Sequence, residues 1–394
     1  MSKVQWVSKD LWIIAAGFVG AMHIGKLPAA LPILKQELSI SLFQAGLLLS
    51  IVQAAGMCLA LLLGSYAEKI GLKRCVVSGL SLLTICSLIS VLYPSLYILF
   101  FMRALEGLGF FMISVTGASM LRQLVSADSI SAKIGLWAAY MGAGVGLALL
   151  IAPLCMHGGS WQIFWLLLAG ITAFVCIGVN YYIPKLATSA QTGQVLYRIK
   201  MTLGHMPAWY LAIIFACYAG QWFALVSFMP IIYAENNIPA VTAGFLTALI
   251  AAINAVGTFL CGLLLQRGVP SKWLIQLGLT VVTVTALSFY GFMDSLSFVA
   301  QFLLVFTFSL FGGFVAATLL AEALNFAPSV TTISTTVGLI LQSSALSQFL
   351  LPPVIAALVS YSHSWQYAGI VMALLSIVGM YLTSKLFRLQ KVVA

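Results

Sequence analysis

The chain has 394 residues, of which 62% are hydrophobic and 7% are charged, with a net charge of +10 and a mean hydropathy of +1.11. Soluble domains carry about 25% charged residues, so this composition excludes a water-soluble globule and indicates an integral membrane protein. The seven cysteines lie in or beside apolar segments without a CxxC pair, so no disulfide or metal framework organises the chain.

Twelve apolar segments are each long enough to cross a hydrocarbon layer of roughly 30 Å as a helix. The expected spans are 11–34, 43–66, 75–92, 96–120, 136–156, 161–183, 209–233, 241–265, 273–292, 297–324, 330–359 and 365–387. The one long polar connection follows the sixth span. We therefore expect an N-terminal six-helix half at 1–183, a cytoplasmic linker at 184–208 and a C-terminal six-helix half at 209–394.

The basic residues alternate between the two sides of these spans. With the N-terminus inside, fifteen of the eighteen Lys and Arg residues fall on the inner side, Lys35 falls on the outer side, and Lys26 and Arg103 lie within spans. The positive-inside rule then places both termini in the cytoplasm. The net positive charge is thus a signal of topology, and we expect no nucleic-acid partner.

Two predicted spans carry ionisable residues near mid-membrane. The stretch AMHIGKLPAALP places His23 and Lys26 in the first span, and RALEGLG places Arg103 and Glu106 in the fourth. Each pair has i, i+3 spacing and shares a helix face. A rise of 1.5 Å per residue puts Lys26 and Glu106 at about the same depth. Charged groups cost about 2.5 to 3.5 kcal/mol at a helix centre, so these four are candidate functional residues.

Short motifs repeat between the predicted halves. An offset of 198 residues pairs Pro32 with Pro230, and an offset of 204 pairs the SWQ tripeptides at 160–162 and 364–366. A duplicated six-helix unit explains both offsets if a few residues were gained or lost in between. The first offset also pairs His23 with Gln221, which predicts that neutral polar groups of the C-terminal half replace the charges of the first.

Three stretches resemble those of the major facilitator superfamily. The cytoplasmic loop GSYAEKIGLKR resembles a motif of that family, with Glu68 in place of its usual Asp, and RALEGLG resembles the family motif of the fourth span. The fifth span, 135–153, is similar to that of cyanate-permease-like members, whereas Leu147 replaces the proline of the antiporter pattern. The loop residues that carry the first resemblance are Gly64, Glu68, Lys69, Gly71, Lys73 and Arg74.

This resemblance implies an all-α fold of twelve transmembrane helices, in two six-helix halves related by a pseudo-two-fold axis. In that family the first, fourth, seventh and tenth spans line a central cavity, so the four ionisable groups are expected to face it. The resemblance also implies that the cytoplasmic loop acts as a gate holding the inner side closed, and that the protein is a monomer of the inner membrane.

The buried charges suggest what is transported. Lys26 and Arg103 against Glu106 leave one surplus positive charge, which in a low-dielectric site favours an anion. We expect these two cations and His23 to bind a small organic or inorganic anion. Glu106 or His23 would carry a coupled proton. Gln221 and Trp222 are candidates for contacting the uncharged part of the substrate.

Alternatives remain open at this level. Lys26 and Glu106 would also serve as a packing pair between two helices. A proton-driven drug efflux antiporter is the second functional reading, and it predicts that Glu106 rather than Lys26 is indispensable. The sequence contains no HExxH or GxSxG pattern, so we expect neither an enzyme nor a cofactor. The expected partners are a small-molecule substrate, a proton and the lipid bilayer.

Overall fold

The computed structural model describes residues 9–125, 133, 136–137, 139–156, 160–185 and 193–393, apart from the side chains of 63–69, 193–194, 330 and 390–393. The described residues form helices and contain no strand. In chain order these are α1 (Lys9–Glu37), α2 (Leu42–Ser50), α3 (Ala54–Ile70), α4 (Leu72–Leu92), α5 (Leu96–Leu124), α6 (Tyr140–Cys155), α7 (Trp161–Tyr182), α8 (Gly193–Leu203), α9 (Met206–Glu235), α10 (Ala240–Gln266), α11 (Ser271–Gly291), α12 (Phe298–Phe326), α13 (Ile333–Ser362) and α14 (Gln366–Val393).

Among the described residues, eleven apolar helical segments are long enough to cross a membrane, and the shorter apolar helix α6 takes the place of the twelfth. A short 3₁₀ turn, Ile51–Gln53, joins α2 to α3, so those two helices form a single span. The predicted all-α, twelve-helix class is confirmed, and the protein is a multi-pass membrane protein. The additional helix α8 lies in the predicted linker, and the boundaries 1–183, 184–208 and 209–394 stay a prediction.

Serine side chains start several of these helices. Ser41 Oγ accepts a hydrogen bond from the Gln44 amide at 3.2 Å, and Gln44 Oε1 accepts one from the Ser41 amide at 2.8 Å. Ser95 Oγ and Ser297 Oγ each accept one hydrogen bond, from the Ile98 and Ala300 amides at the starts of α5 and α12. These caps satisfy amides that have no partner within the helix. They also show that α5 and α12 begin at equivalent positions, 202 residues apart.

We call the end of the helix bundle at which α1 stops the outer end. At this end the structure confirms the internal repeat. Trp161 Nε1 donates to Glu37 Oε2 at 2.8 Å, and Trp365 Nε1 donates to Glu235 Oε2 at 3.2 Å. The two glutamates are 198 residues apart and the two tryptophans 204. In each half the same bond therefore ties the first helix to the last, which is the arrangement that a duplicated unit predicts.

Close contacts join the two halves along two seams. In one seam, a Cβ added to Gly142 of α6 would lie 3.0 Å from the Ala251 carbonyl oxygen of α10. In the other, Gln53 Nε2 donates to Gln348 Oε1 of α13 at 2.8 Å. Small residues let the helix backbones approach closely, and the amide pair satisfies polar groups away from water.

Candidate functional site

The four ionisable residues predicted within spans come together in one buried cluster. Lys26 and Glu106 form a salt bridge between α1 and α5, and both side chains are completely buried. The predicted common depth of these two residues is confirmed. A second ion pair joins Arg103 Nη1 to Glu106 Oε2 at 2.8 Å. One carboxylate thus lies between two cations.

Every ammonium proton of Lys26 has a partner. Lys26 Nζ donates to Glu106 Oε1, to Ser87 Oγ at 2.7 Å and to His23 Nδ1 at 3.2 Å. The ammonium also lies 4.8 Å from the ring centre of Trp165, a cation–π distance. Full hydrogen bonding offsets much of the cost of burying this charge.

These bonds fix the charge state of His23 in this arrangement. An ammonium can only donate, so His23 Nδ1 is an acceptor and its proton lies on Nε2. His23 Nε2 is 2.9 Å from Thr172 Oγ1, whose own proton goes to the Leu168 carbonyl. His23 is therefore a neutral imidazole that donates to Thr172, and it leaves the cluster with a net charge of +1.

Arg103 is the cluster member with unused hydrogen-bonding capacity. Its Nη1 donates to Glu106 Oε2 and, at 2.7 Å, to the His23 carbonyl oxygen. Its Nε is buried and has no partner among the described residues. A guanidinium offers five donors in a planar fork, and a buried donor without a partner costs about 1 to 3 kcal/mol. This edge of Arg103 is therefore suited to an acceptor that the described residues do not supply.

The cluster lies inside the N-terminal half. Its described hydrogen-bond partners belong to α1, α4, α5 and α7, which carry Ser87 and Thr172 as well as the ionisable residues. The expectation that all four charges open onto a cavity between the halves is not met in this conformation. The reason is rotational: the shared face of His23 and Lys26 points towards α4 and α7, not towards the C-terminal half.

The counterparts of the three charged residues in the C-terminal half are apolar. The repeat offset aligns Lys26 with Ala224, and the aligned helix starts of α5 and α12 pair Arg103 with Val305 and Glu106 with Phe308. All three counterparts are fully or almost fully buried. The fold thus packs the same position without any charge, so the charges of the first half are not required by the architecture.

His23 and Thr172 do have polar counterparts in the second half. Gln221 Nε2 donates to Ser376 Oγ of α14 at 3.0 Å, and Ser376 aligns with Thr172 at the 204 offset. Gln221 also donates to the Cys217 carbonyl. The sequence prediction paired His23 with Gln221 correctly, and Gln221 makes an intra-half bond equivalent to that of the histidine.

Trp222 belongs to a different polar group. Trp222 Nε1 donates to Ser309 Oγ at 3.0 Å, and Asn254 Nδ2 donates to the Ser309 carbonyl at 2.8 Å and to Tyr218 Oη at 2.6 Å. These residues connect α9, α10 and α12. None of these described bonds reaches the charged cluster, so the structure does not bring Gln221 and Trp222 together with Lys26.

The structure describes part of the loop region between α3 and α4, which the sequence predicts to be cytoplasmic. Gly71 has φ of 98°, a left-handed conformation that side chains other than glycine rarely adopt. Lys73 Nζ donates to the Asn180 and Ile183 carbonyls at 2.8 and 2.7 Å, so it caps the end of α7 in its own half. Arg74 is exposed. Gly64 lies within α3, and the side chains of Glu68 and Lys69 lie outside the described residues.

Sequence reasoning missed Ser87, Trp165 and Thr172. Thr172 was detectable in principle, because it aligns with Ser376 at the same offset as the SWQ tripeptides. Ser87 and Trp165 carried no such signal, since single serines and tryptophans are common in membrane helices. They become visible only once α4 and α7 are packed against α1.

The fold and the repeated bonds define a helical membrane protein built from two related halves. The Major Facilitator Superfamily family model matches residues 13–352. The chain therefore belongs to the Major Facilitator Superfamily and is a membrane transporter by class.

Two curated relatives come from Escherichia coli (strain K12). The chain is 28% identical to the cyanate transport protein CynX over 237 residues, which is 58% of this chain and 59% of that protein. It is 26% identical to the inner membrane transport protein YnfM over 159 residues, which is 40% of this chain and 38% of that protein. The matched regions thus span less than two thirds of either relative.

Solved structures share the fold over nearly the whole chain. A bacterial homolog of the human lysosomal transporter Spinster, in an inward-facing and occupied conformation, superimposes with a TM-score of 0.78 at 13% identity and covers 96% of each chain. The nucleoside transporter NupG gives a TM-score of 0.78 at 13% identity, with 96% of this chain and 100% of that chain covered. These similarities concern the fold alone.

Proposed function

We propose that this protein is a secondary transporter that moves a small anion across the inner membrane by alternating access, together with a proton. One observation carries the proposal: a buried cluster holds two cations and one carboxylate, whereas the aligned residues of the other half carry no charge. A surplus positive charge in a low-dielectric site favours an anionic guest. The relation to a cyanate transport protein supports the same substrate class.

In this proposal Arg103 receives the anion first, through the edge that has no partner. Lys26 and His23 complete the site when Glu106 shifts. Trp222, with Tyr218 and Asn254, is proposed to contact the uncharged part of the substrate. Gln221 would join them only after leaving Ser376.

His23 is the proposed proton carrier. Its neutral state accepts a hydrogen bond from Lys26, and protonation would place a third cation beside two others. An anion bound to Arg103 would compensate that added charge, so substrate and proton would bind together. Glu106 is the second candidate, but it is already held between two cations.

We further propose that both termini are cytoplasmic, because most of the lysine and arginine residues lie in the termini and connections on one predicted side of the membrane. The loop with Gly71, Lys73 and Arg74 would then lie at the inner side and, with Glu68, contribute to closing it. We propose a monomer as the working unit, as the family resemblance implies.

The first test measures the melting temperature of the purified protein against cyanate, bicarbonate, nitrate, formate and acetate. A ligand that binds the folded state at a concentration of 100 Kd stabilises it by about 2.7 kcal/mol. We expect at least one anion to raise the melting temperature, and the Lys26→Ala variant to lose that response.

The matched control for this test is Lys200→Ala, which removes an exposed lysine on α8 and leaves the cluster intact. It should respond to anions as the unmodified protein does. If lipophilic cations such as tetraphenylphosphonium stabilise the protein and no anion does, the anion proposal is wrong and drug efflux becomes the better reading.

A second test replaces His23 with glutamine, the residue that the C-terminal half has at the equivalent position. Glutamine can bond Thr172 as Gln221 bonds Ser376, so we expect a melting temperature close to that of the unmodified protein. In proteoliposomes, exchange of labelled for unlabelled anion should persist, while accumulation driven by a pH gradient should be lost.

The control for coupling is Thr172→Ser, which keeps the hydroxyl that His23 contacts and should keep accumulation. If His23→Gln still accumulates the anion on a pH gradient, His23 is not the proton carrier and Glu106 is the residue to examine next.

A further inference from the structure

A pocket lies between the two halves at the outer end. It is lined by proline, alanine and glycine residues, among them Pro32 of α1, Pro153 of α6, Pro230 of α9 and Gly244 of α10, and its volume is about 380 Å³ including the part open to solvent. Because helices of both halves form its walls, any opening of the outer side must change its shape.

One ion pair spans the halves at the rim of this pocket. Lys35 Nζ is 3.9 Å from Glu235 Oε1, and the side chains are 36% and 45% exposed. Lys35 lies one turn beyond the lining residue Pro32, and Glu235 directly follows the lining residue Ala234. Of the ion pairs found among the described side chains, this is the one that joins the two halves.

Lys35 is also the only lysine or arginine at the outer end, where the connections additionally contain His157 and His363. The outer connections at 38–41, 93–95, 156–160, 236–239, 292–297 and 363–365 contain no lysine or arginine, whereas Glu37, Glu235 and Asp294 lie at or between the helix ends there. An anion that approaches the pocket from outside therefore meets a single lysine or arginine, and that lysine is already paired with Glu235.

Glu235 has a second anchor that Lys35 lacks. Its Oε2 accepts the bond from Trp365 Nε1, so the carboxylate stays attached to its own half when Lys35 leaves. Glu37 makes the equivalent bond with Trp161 in the first half. The asymmetry between the halves is Lys35 itself, since its counterpart at the 198 offset is Tyr233.

We propose that the Lys35 ammonium docks small anions at the mouth of this pocket, and that a docked anion displaces Glu235 and so releases the contact between the halves. This inference rests on the proposed anion transport. An exposed ion pair is weak enough for such competition, because water and salt screen the attraction between its charges.

The test uses iodide, a small anion that quenches tryptophan fluorescence, on the full-length purified protein. The part of the iodide quenching that comes from Trp365 is the quenching measured in each variant minus the quenching measured in the same variant with Trp365→Phe. We expect Lys35→Ala to lower iodide quenching of Trp365 by a factor of about 1.4 to 5, the range of one exposed charge contact. Lys35→Arg should restore it, and quenching by neutral acrylamide should stay unchanged.

The Glu235→Gln variant separates docking from a simple structural contact. Glutamine still accepts the Trp365 bond but no longer competes for Lys35, so iodide quenching should rise. The control Glu37→Gln should have no effect, because Glu37 forms no ion pair with the side chains that the structure describes. If Lys35→Ala leaves iodide quenching unchanged, or if Lys35→Ala and Glu235→Gln shift it in the same direction, the inference is wrong.

Uptake of cyanate into intact cells reports the consequence for transport. We expect Lys35→Ala to raise KM and Glu235→Gln to lower it, by similar factors. If the ion pair only holds the two halves together, both substitutions would shift KM in the same direction, and the proposed displacement of Glu235 would be wrong. Failure of the proposed function would give a different result. No anion would then be transported, and no anion would raise the melting temperature in a way that depends on Lys26. The iodide measurements would still decide whether Lys35 docks anions.

Discussion

Replacing Glu106 with glutamine is expected to lower the free energy of unfolding by about 3 to 5 kcal/mol. The substitution leaves Lys26 and Arg103 buried beside each other without a counter-charge. Lys26→Ala should lower the free energy of unfolding by less than Glu106→Gln does, because Glu106 keeps its bonds to Arg103 and Ser87. The measurement is the melting temperature of each variant in one detergent.

A compensated variant tests whether the cluster exists for function or for stability. Lys26→Ala, Arg103→Val and Glu106→Leu together make the first half resemble the apolar second half, with leucine in place of the bulkier Phe308. Buried ion pairs can be replaced by apolar groups at little cost when all partners go together. We expect the triple variant to melt well above Glu106→Gln and to show no anion transport. A triple variant as unstable as Glu106→Gln would mean that the cluster is needed to hold the helices together.

The second large effect is expected at Gly107, in the RALEGLG stretch of α5. A Cβ placed there would overlap the carbonyl oxygen of Val52, in the short turn between α2 and α3. That backbone atom cannot rotate away as a side chain would, so Gly107→Ala should cost about 3 kcal/mol, the upper part of the range for overpacking. Melting temperature and the yield of folded protein in detergent are the measurements.

Gly170 of α7 is the matched control for that substitution. A Cβ added there would meet nothing within 4 Å, and alanine is a better helix former than glycine by roughly 0.5 to 1 kcal/mol. Gly170→Ala should therefore be neutral or slightly stabilising. Equal losses at the two positions would show that the cost is not steric.

Much of the architecture follows from local properties of the chain. Apolar segment lengths predicted the spans, because a bilayer of fixed thickness demands helices of fixed length. The repeat predicted equivalent positions, and the structure confirms it in the bonds of Glu37 and Glu235 to their tryptophans. The common depth of Lys26 and Glu106 followed from a constant helical rise.

The direction in which these side chains point could not be predicted from the sequence. Helix rotation decides whether His23 faces a central cavity or faces Thr172 of α7, and rotation is set by packing against distant segments. The same reason hid the partnership of Ser87 with Lys26, and the role of Lys73 as a cap on α7. Sequence by itself determined which residues lie within the membrane and at what depth, because those depend on length and hydrophobicity along one helix. Only the tertiary structure decided which of them meet, because contacts between helices depend on rotations that no single segment specifies.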